Sequence, residues 1–483
     1  MLAQFSSYGL TSHAIVRKRR TLHRSSTLMK SLAVANHTTQ EAFVRSTGHG
    51  RRVLFVTVNF PPFNSIGAVR TGQTAKYLRR LGWDVRVITV RDQLRDHGLP
   101  EGIPDCCVYR ERAPALWRLV LRRTGGLRGP SLAATASTDS WWSRVKKSAL
   151  RSWKRFQVPD KNASWIPFAV LRGVKVSESW HPDLILASGP PFSGLVVGML
   201  LARRLQVPFV PEFRDLWTEE PGRTDKSGVR WTLDRRIEAD ILRESSAVVT
   251  LSAFARSALQ ARTPAPVVTI YNGFDPEAGW TSEAEQEHST SPRRGEDTPV
   301  LVRYVGSIYP GRRDPDLLFR ALSESRLSDD QIHFEFVGSD PEIVATLASK
   351  YAVSHLVSVR PRVPHQKALK LQASADVLLL LGGTETESWN CLKEGGVLPG
   401  KLFEYLAAGP PVLLLGQPNG EAAGILRTVE RGVIPEKPED VSSTLRAVVS
   451  GIHDLPQGKP RRIATYSRPA QVSRLSETLV RIL

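Results

Sequence analysis

Three cysteines in 483 residues, two of them adjacent at Cys106 and Cys107, leave no disulfide framework and no metal-ligand spacing. Long apolar runs are missing as well. The longest, Leu195 to Ala202 (LVVGMLLA), falls far short of the roughly 20 residues that a spanning helix needs. The opening does not read as a secretory signal, because its cationic cluster RKRR follows a weak apolar stretch instead of preceding it. These absences exclude a disulfide scaffold and an integral membrane protein, and the expectation is a reduced, cytoplasmic chain of enzyme size. What is present is ordinary for a globular protein: 41% hydrophobic and 23% charged residues. At roughly 150 residues per domain, two or three domains with real cores are expected.

Acidic charge is also in short supply, with 47 Asp and Glu against 66 Lys and Arg, a net +19. The excess is local. Residues 1–48 carry seven basic residues against one acidic, and residues 110–156 carry twelve against two. The rest of the chain is close to balanced, so the basicity reads as an attachment device and not as a property of the core. The tail 1–48 is rich in Ser, Thr and His without periodicity and is expected to be disordered, with Met29 an alternative start. In the second block Trp142, Val145, Ala149, Trp153 and Phe156 recur at helical spacing, while Lys147, Arg151 and Lys154 mark another face. Trp with Lys and Arg on an amphipathic helix suits an anionic membrane surface, with Trp142, Arg151, Trp153, Lys154 and Arg155 as the contact candidates. The same pattern fits a helix packed on its own domain with a solvated basic back. No nucleic-acid motif accompanies the charge, so no nucleic-acid partner is expected.

From Arg52 onward the pattern alternates between β-branched runs and amphipathic stretches. The runs VLFVTV (53–58), VRVITV (85–90), DLILAS (183–188), PFVPEF (208–213), AVVTLS (247–252) and VVTIYN (267–272) read as strands with helices between most of them. Residues 276–298 are polar and aperiodic, a linker or surface insertion. The alternation then restarts with VLVRYVGS, HFEFVGS, LVSVRP, ADVLLLLG and PPVLLLG as strands, each followed or preceded by a helix. The expected class is α/β, two doubly wound parallel-sheet domains in tandem. The boundaries read as 1–48 tail, 49–275 first domain with the insertion 110–156, 276–298 linker, 299–456 second domain and 457–483 closing helix.

Several segments carry a resemblance. PGKLFEYLAAGPPVL (399–413) is similar to the donor-site helix and following turn and strand of family 4 glycosyltransferases, and YVGSIYPGRRDPDLLFRAL (304–322) resembles the strand, loop and helix that open their nucleotide-sugar domain. DLILASGPPFSGLVVGMLLARRLQVPFVPEFRDLW (183–217) resembles the bacterial branch that adds sugars, fucosamine-type among them, to cell-surface polysaccharide precursors; YNGFD (271–275) matches the usual close of the acceptor domain. This resemblance implies the GT-B fold, two Rossmann-like domains facing across a cleft. It implies a retaining, metal-independent transferase that uses a nucleotide-sugar, a UDP-sugar or similar, with a glycan or polyprenyl-linked acceptor and no cofactor. The enzyme would be peripheral to the inner face of the cell membrane.

The resemblance also assigns residues. Gly306 ends the strand that opens the donor domain, and Arg312 falls where the family has a phosphate-contacting Lys, with Arg313 beside it. Lys401 and the backbone amides of Gly400 to Leu402 open a helix and suit an anion. Glu404 matches the Glu that accepts both ribose hydroxyls, a task for a two-oxygen acceptor. In the first domain, Gly67 lets backbone approach a diphosphate, and Asp215 follows a strand end where open α/β sheets bind ligands. His365 reads as a structural residue at a helix opening, and Glu385, Glu387 and Glu394 as mostly solvated. Three departures stand out: Gly396 occupies the position of the first Glu of the family's paired-Glu pattern, Ser307 follows Gly306 where a phosphate contact is usual, and GPPF (189–192) offers no His near the reaction centre. They leave the donor sugar and the catalytic residue open, with Asp215 the candidate. The Gly396 and Ser307 departures also keep a second reading alive, a non-catalytic GT-B scaffold or partner protein at the membrane surface.

Overall fold

A computed structural model describes residues 50–91, 98–100, 102–112, 158–220, 226–278, 298–308, 315–382, 398–452 and 454–483. The expected tail 1–48, nearly all of the basic block, most of the linker 276–298, Arg312, Arg313, Glu385, Glu387, Glu394 and Gly396 lie outside these residues. So do the membrane-contact candidates Trp142, Arg151, Trp153, Lys154 and Arg155.

The described chain forms two compact units. One spans residues 50–272 and takes back the C-terminal residues 471–483; the other spans residues 273–470. In the first, seven parallel strands run in the order β3-β2-β1-β4-β5-β6-β7. These are β1 (Arg52–Thr57), β2 (Asp84–Val90), β3 (Val108–Glu111), β4 (Leu184–Gly189), β5 (Phe209–Phe213), β6 (Val248–Thr250) and β7 (Val267–Thr269). β1 is buried from Val53 to Thr57, as a central parallel strand covered on both faces must be. One face packs Leu54, Val56, Ile185 and Ala187 beneath α2 (Ile166–Ser179) and α3 (Ser193–Leu205), reached in the chain after α1 (Ile66–Arg80). The other face buries Val53, Phe55, Val85 and Val87 with Tyr77 and Leu78 of α1 and with Val472, Leu475 and Leu479 of the final helix. β3 was not read from the sequence: its four residues form a sheet edge with only Val108 buried, too short and too polar to stand out.

Helix starts follow local capping. Ser65 Oγ accepts from the Ala68 amide at 3.1 Å to open α1, and Arg79 and Arg80 close it where the helix dipole favours cations. At α3 the cap comes from a distance: the Asp160 carboxylate accepts from the Ser193 amide at 2.8 Å and from its hydroxyl at 2.7 Å. Among the described residues, α4 (Gly228–Arg243) and α5 (Ala253–Gln260) complete the α-helices of this unit apart from its terminal one.

The second unit has six parallel strands in the order β10-β9-β8-β11-β12-β13. They are β8 (Val300–Val305), β9 (Ile332–Val337), β10 (Val357–Arg360), β11 (Val377–Leu381), β12 (Val412–Leu415) and β13 (Gly432–Val433). Between them lie α6 (Asp316–Ser325), α7 (Pro341–Lys350), α8 (His365–Ala373), α9 (Gly400–Ala408) and α10 (Glu421–Val429). α11 (Val441–Ser450) and α12 (Pro460–Ala464) follow, and α13 (Arg468–Arg481) returns to the first unit. The all-apolar β11, VLLLL, is fully buried at the centre of the sheet. Both units thus have the α/β, parallel-sheet architecture that the alternation predicts. Among the described residues no helix is long and apolar enough to cross a membrane.

Candidate functional site

The strand ends of the second unit gather several of the sequence-predicted residues. β8 leads into Gly306, whose φ of +126° lies in a region that side-chain-bearing residues avoid. Its amide donates to the Val337 carbonyl at 2.8 Å, and its carbonyl accepts from Ser339 Oγ at 2.7 Å, so the turn is fixed from both sides. The φ angle would strain any side chain here, and a Cβ on Gly306 would stand 2.8 Å from Lys401 Nζ, so the lysine tip would have to shift. The ammonium of Lys401 also lies 3.7 Å from the centroid of the Tyr304 ring. The ring face steadies the cation without neutralising it. Tyr304 is itself anchored, its hydroxyl donating to the Ser307 carbonyl at 2.8 Å.

Lys401 is the second residue of α9, which opens at the exposed Gly400 with no side-chain cap. A helix opening with uncapped amides and an adjacent cation is an anion seat. One detail differs from the sequence reading: the Leu402 amide is not free, since it donates to the Pro399 carbonyl at 3.0 Å in a tightened first turn. One turn on from Lys401, α9 is tied to the sheet by Tyr405, whose buried hydroxyl accepts from the Val305 amide at 3.0 Å. That bond sets the height of the helix opening against the end of β8.

Glu404 sits one turn further along α9. Its two oxygens are engaged separately: Oε1 lies 3.0 Å from His365 Nε2, and Oε2 accepts from the Gln372 amide at 3.2 Å. Burial pushes the carboxyl pKa up, but the hydrogen bond and charge of His365, the Gln372 amide and the charge of Arg468 outweigh it and hold the group below its ordinary value. The Glu404 hydrogen bond in turn raises the His365 pKa against the opposing effect of burial. His365 is the first residue of α8, the helix opening expected for it, and it is also the partner that orients Glu404. A carboxylate oxygen has two lone pairs, so Glu404 keeps acceptor capacity on both oxygens. His365 and Gln372 were not recognised as its partners from sequence, since they stand 39 and 32 residues away on another helix.

Gly67 and Asp215 belong to the first unit. Gly67 is the second residue of α1, and a Cβ there would lie 2.0 Å from Arg214 Nη1 and 3.0 Å from Asn59 Nδ2. Asp215 follows β5 and is exposed, yet enough protein surrounds its carboxyl that desolvation raises its pKa despite the opposing pull of Arg214. Beneath them lies a buried ion pair. Arg70 donates twice to Glu212 Oε1, at 3.0 and 2.7 Å, and Ser188 Oγ donates to Oε2 at 2.6 Å. Arg70 also reaches the Ile270 carbonyl at 2.9 Å and the Tyr271 carbonyl at 3.0 Å, which joins α1 to the exit from β7. Neither Arg70 nor Arg214 was singled out in the sequence. The only signal for Arg214 was its place in FRDLW beside Asp215.

Comparisons with known proteins agree with this architecture. Residues 67–273 match the Glycosyl transferase 4-like domain. The two parallel sheets flanked by helices are the fold of the GT-B glycosyltransferases. The sucrose-phosphate synthase of Thermosynechococcus elongatus is similar with a TM-score of 0.58 at 15% identity, covering 89% of this chain and 98% of that one. Anabaena HepE in complex with UDP is similar with a TM-score of 0.58 at 16% identity, covering 89% and 99%. The lipopolysaccharide outer core galactosyltransferase WaaB aligns with a TM-score of 0.52 at 11% identity, covering 89% and 100%. No curated protein matches the sequence.

Proposed function

We propose that the protein is a glycosyltransferase that moves a sugar from a nucleotide-sugar, a UDP-sugar, to a hydroxyl of a cell-surface glycan or polyprenyl-linked precursor. One observation carries the reading. Within a single unit, the Lys401 ammonium lies against the side-chain-free Gly306 at an uncapped helix opening, and the ionised Glu404 stands one turn along the same helix. A cation and a two-oxygen acceptor at that spacing suit the diphosphate and the ribose of a nucleotide. The 4-like domain match at 67–273 supports the class, and the structures of Anabaena HepE with UDP and with UDP-glucose support uridine as the base.

In this reading the leaving diphosphate gathers charge as the glycosidic bond breaks, and Lys401 with the first amides of α9 stabilises it. Arg312 and Arg313 add to that field by resemblance, so a metal ion is not required. Glu404 holds the ribose through the lone pairs that His365 and Gln372 leave open. The protein's share of the rate is positioning and leaving-group electrostatics. Retention of configuration is implied by the family resemblance as a whole, and a surface-polysaccharide acceptor by that of residues 183–217. The basic, Trp-bearing block 110–156 would hold the enzyme at the inner face of the membrane, where a polyprenyl-linked acceptor lives.

The test is turnover. Purified protein is incubated with a panel of UDP-sugars and a polyprenyl-diphosphate-linked glycan, and UDP release is followed. Release with one donor, abolished in Lys401→Ala, is the expected result. Binding of UDP with no release from any donor would replace this reading with the scaffold one.

A further inference from the structure

Cys106 and Cys107 are neighbours in the chain and free thiols in the fold, and the proposed reaction uses neither. They end the single 3₁₀ turn Asp105–Cys107 that feeds β3. The Cys107 amide donates to the Pro104 carbonyl at 3.0 Å, and an Arg110–Asp105 ion pair braces the turn from the strand side. The two sulfurs stand 3.9 Å apart. Their surroundings differ. Cys106 is exposed, whereas Cys107 is half-buried against the core that holds Tyr77 and Leu78 of α1, and its sulfur accepts from Arg79 Nη1 at 3.5 Å. Burial pushes the Cys107 thiol up, the hydrogen bond with Cys106 adds to this, and the Arg79 charge offsets only part. Cys107 is therefore a protonated thiol at neutral pH and a poor nucleophile by itself.

The geometry decides what such a pair can hold. A disulfide between the two is disfavoured, because bridged Cα atoms usually lie about 4.4–6.8 Å apart and consecutive ones only about 3.8 Å. The bond would be strained and readily reopened by other thiols. A metal ion that needs four ligands is not served either. Among the described residues no group of three or more His, Cys, Asp or Glu is placed to hold one, and Asp105 is committed to Arg110. A single soft atom that takes two sulfurs and brings its own third substituent fits better. Two sulfurs bound at about 2.3 Å to one centre are less than about 4.6 Å apart, and the observed 3.9 Å falls inside that span.

We propose that Cys106 and Cys107 form a dithiol site that captures a thiophilic centre of the monosubstituted trivalent arsenical class. The exposed Cys106 thiolate attacks arsenic first and holds it beside Cys107, whose sulfur then closes the chelate. The Arg79 guanidinium steadies that sulfur as it gives up its proton. Two S–H bonds and the As=O bond are exchanged for two As–S bonds and one water, and no electron is transferred. The site does not depend on the transferase reading.

The test titrates phenylarsine oxide into the full chain as wild type, Cys106→Ser, Cys107→Ser and Cys391→Ser, the last being the third cysteine, which lies outside the described residues. Native mass spectrometry counts the adducts, and melting temperatures are measured alongside. The expected result is one adduct per chain in wild type and in Cys391→Ser, removed by the dithiol 2,3-dimercaptopropanol and resistant to the same concentration of β-mercaptoethanol. Binding should be at least tenfold weaker in Cys106→Ser and in Cys107→Ser. Because Cys106 is exposed, Cys106→Ser should melt with the wild type, so its loss of binding reads the site and not the fold. An adduct that survives Cys106→Ser within twofold of wild type, that disappears in Cys391→Ser, or that the monothiol strips as readily as the dithiol would overturn the proposal.

Discussion

Replacing Arg70 with Met tests how the first unit is held together. In the wild type the Arg70 guanidinium is only 2% exposed and binds Glu212 through two nitrogens at 2.7 and 3.0 Å, with two further bonds to the carbonyls of Ile270 and Tyr271. Met fills much of the same volume but leaves Glu212 with Ser188 as its one direct donor and Arg214 as a nearby charge. Stranding one member of a buried pair costs about 3–5 kcal/mol. For a domain of this size that is a Tm decrease of roughly 6–20 °C. The pH dependence gives a second, sharper readout. At Glu212, burial raises the pKa, but Arg70 and Ser188 more than reverse it, so the folded value lies below the ordinary 4.5. The wild-type contribution is therefore full above pH 4.5 and lost as pH falls through the lowered value. Without Arg70 the burial effect prevails and the folded value rises above 4.5, so the variant should gain stability as pH falls from 7 toward 5. Urea unfolding of both proteins at pH 5, 6 and 7 measures this. A loss below about 1 kcal/mol, or one that does not shrink toward pH 5, would refute the reasoning.

Three further predictions concern the second unit and the basic block. Gly306→Ala should lower stability by about 1–3 kcal/mol, because its φ of +126° is strained for any side chain, and should weaken UDP binding by pushing Lys401 away; titration and melting of the variant check both effects. The His365–Glu404 pair contributes fully between about pH 4.5 and 6.5: the raised His365 pKa means loss as pH climbs through it, and the lowered Glu404 pKa means loss as pH falls through that. The stability difference between wild type and His365→Ala should accordingly be largest in that window and close above it, and a difference that grows above pH 7 would count against the pairing. Neutralising Arg151, Lys154 and Arg155 should release the protein from anionic vesicles in a sedimentation assay while UDP binding is unchanged; unaltered sedimentation would remove the membrane role of the block.

Much of the fold could be read in advance because buried parallel strands are near-continuous apolar runs. VLFVTV and ADVLLLLG have no other comfortable conformation between Gly- and Pro-rich loops, and both became central strands. β3 escaped because an edge strand buries too little to leave a pattern. In the site, Gly306, Lys401 and Glu404 could be named since each lies in a local motif, a strand–glycine turn or a helix opening. Their partners could not. His365 and Gln372 meet Glu404 only because α8 and α9 pack side by side, and nothing in the sequence of either helix announces the contact. Arg214 looks like any surface arginine until Gly67 is seen to make room for it.

Isothermal titration of UDP and GDP into wild type and Glu404→Ala tests whether Glu404 marks a nucleotide seat. Hydrogen bonds to a charged acceptor are each worth about 1.5–3 kcal/mol, so losing both ribose contacts should weaken UDP binding by roughly a hundredfold or more. Micromolar binding of UDP by wild type and its loss in the variant are the expected result. Equal affinity in the two proteins, or no binding of either nucleotide by wild type, would contradict it.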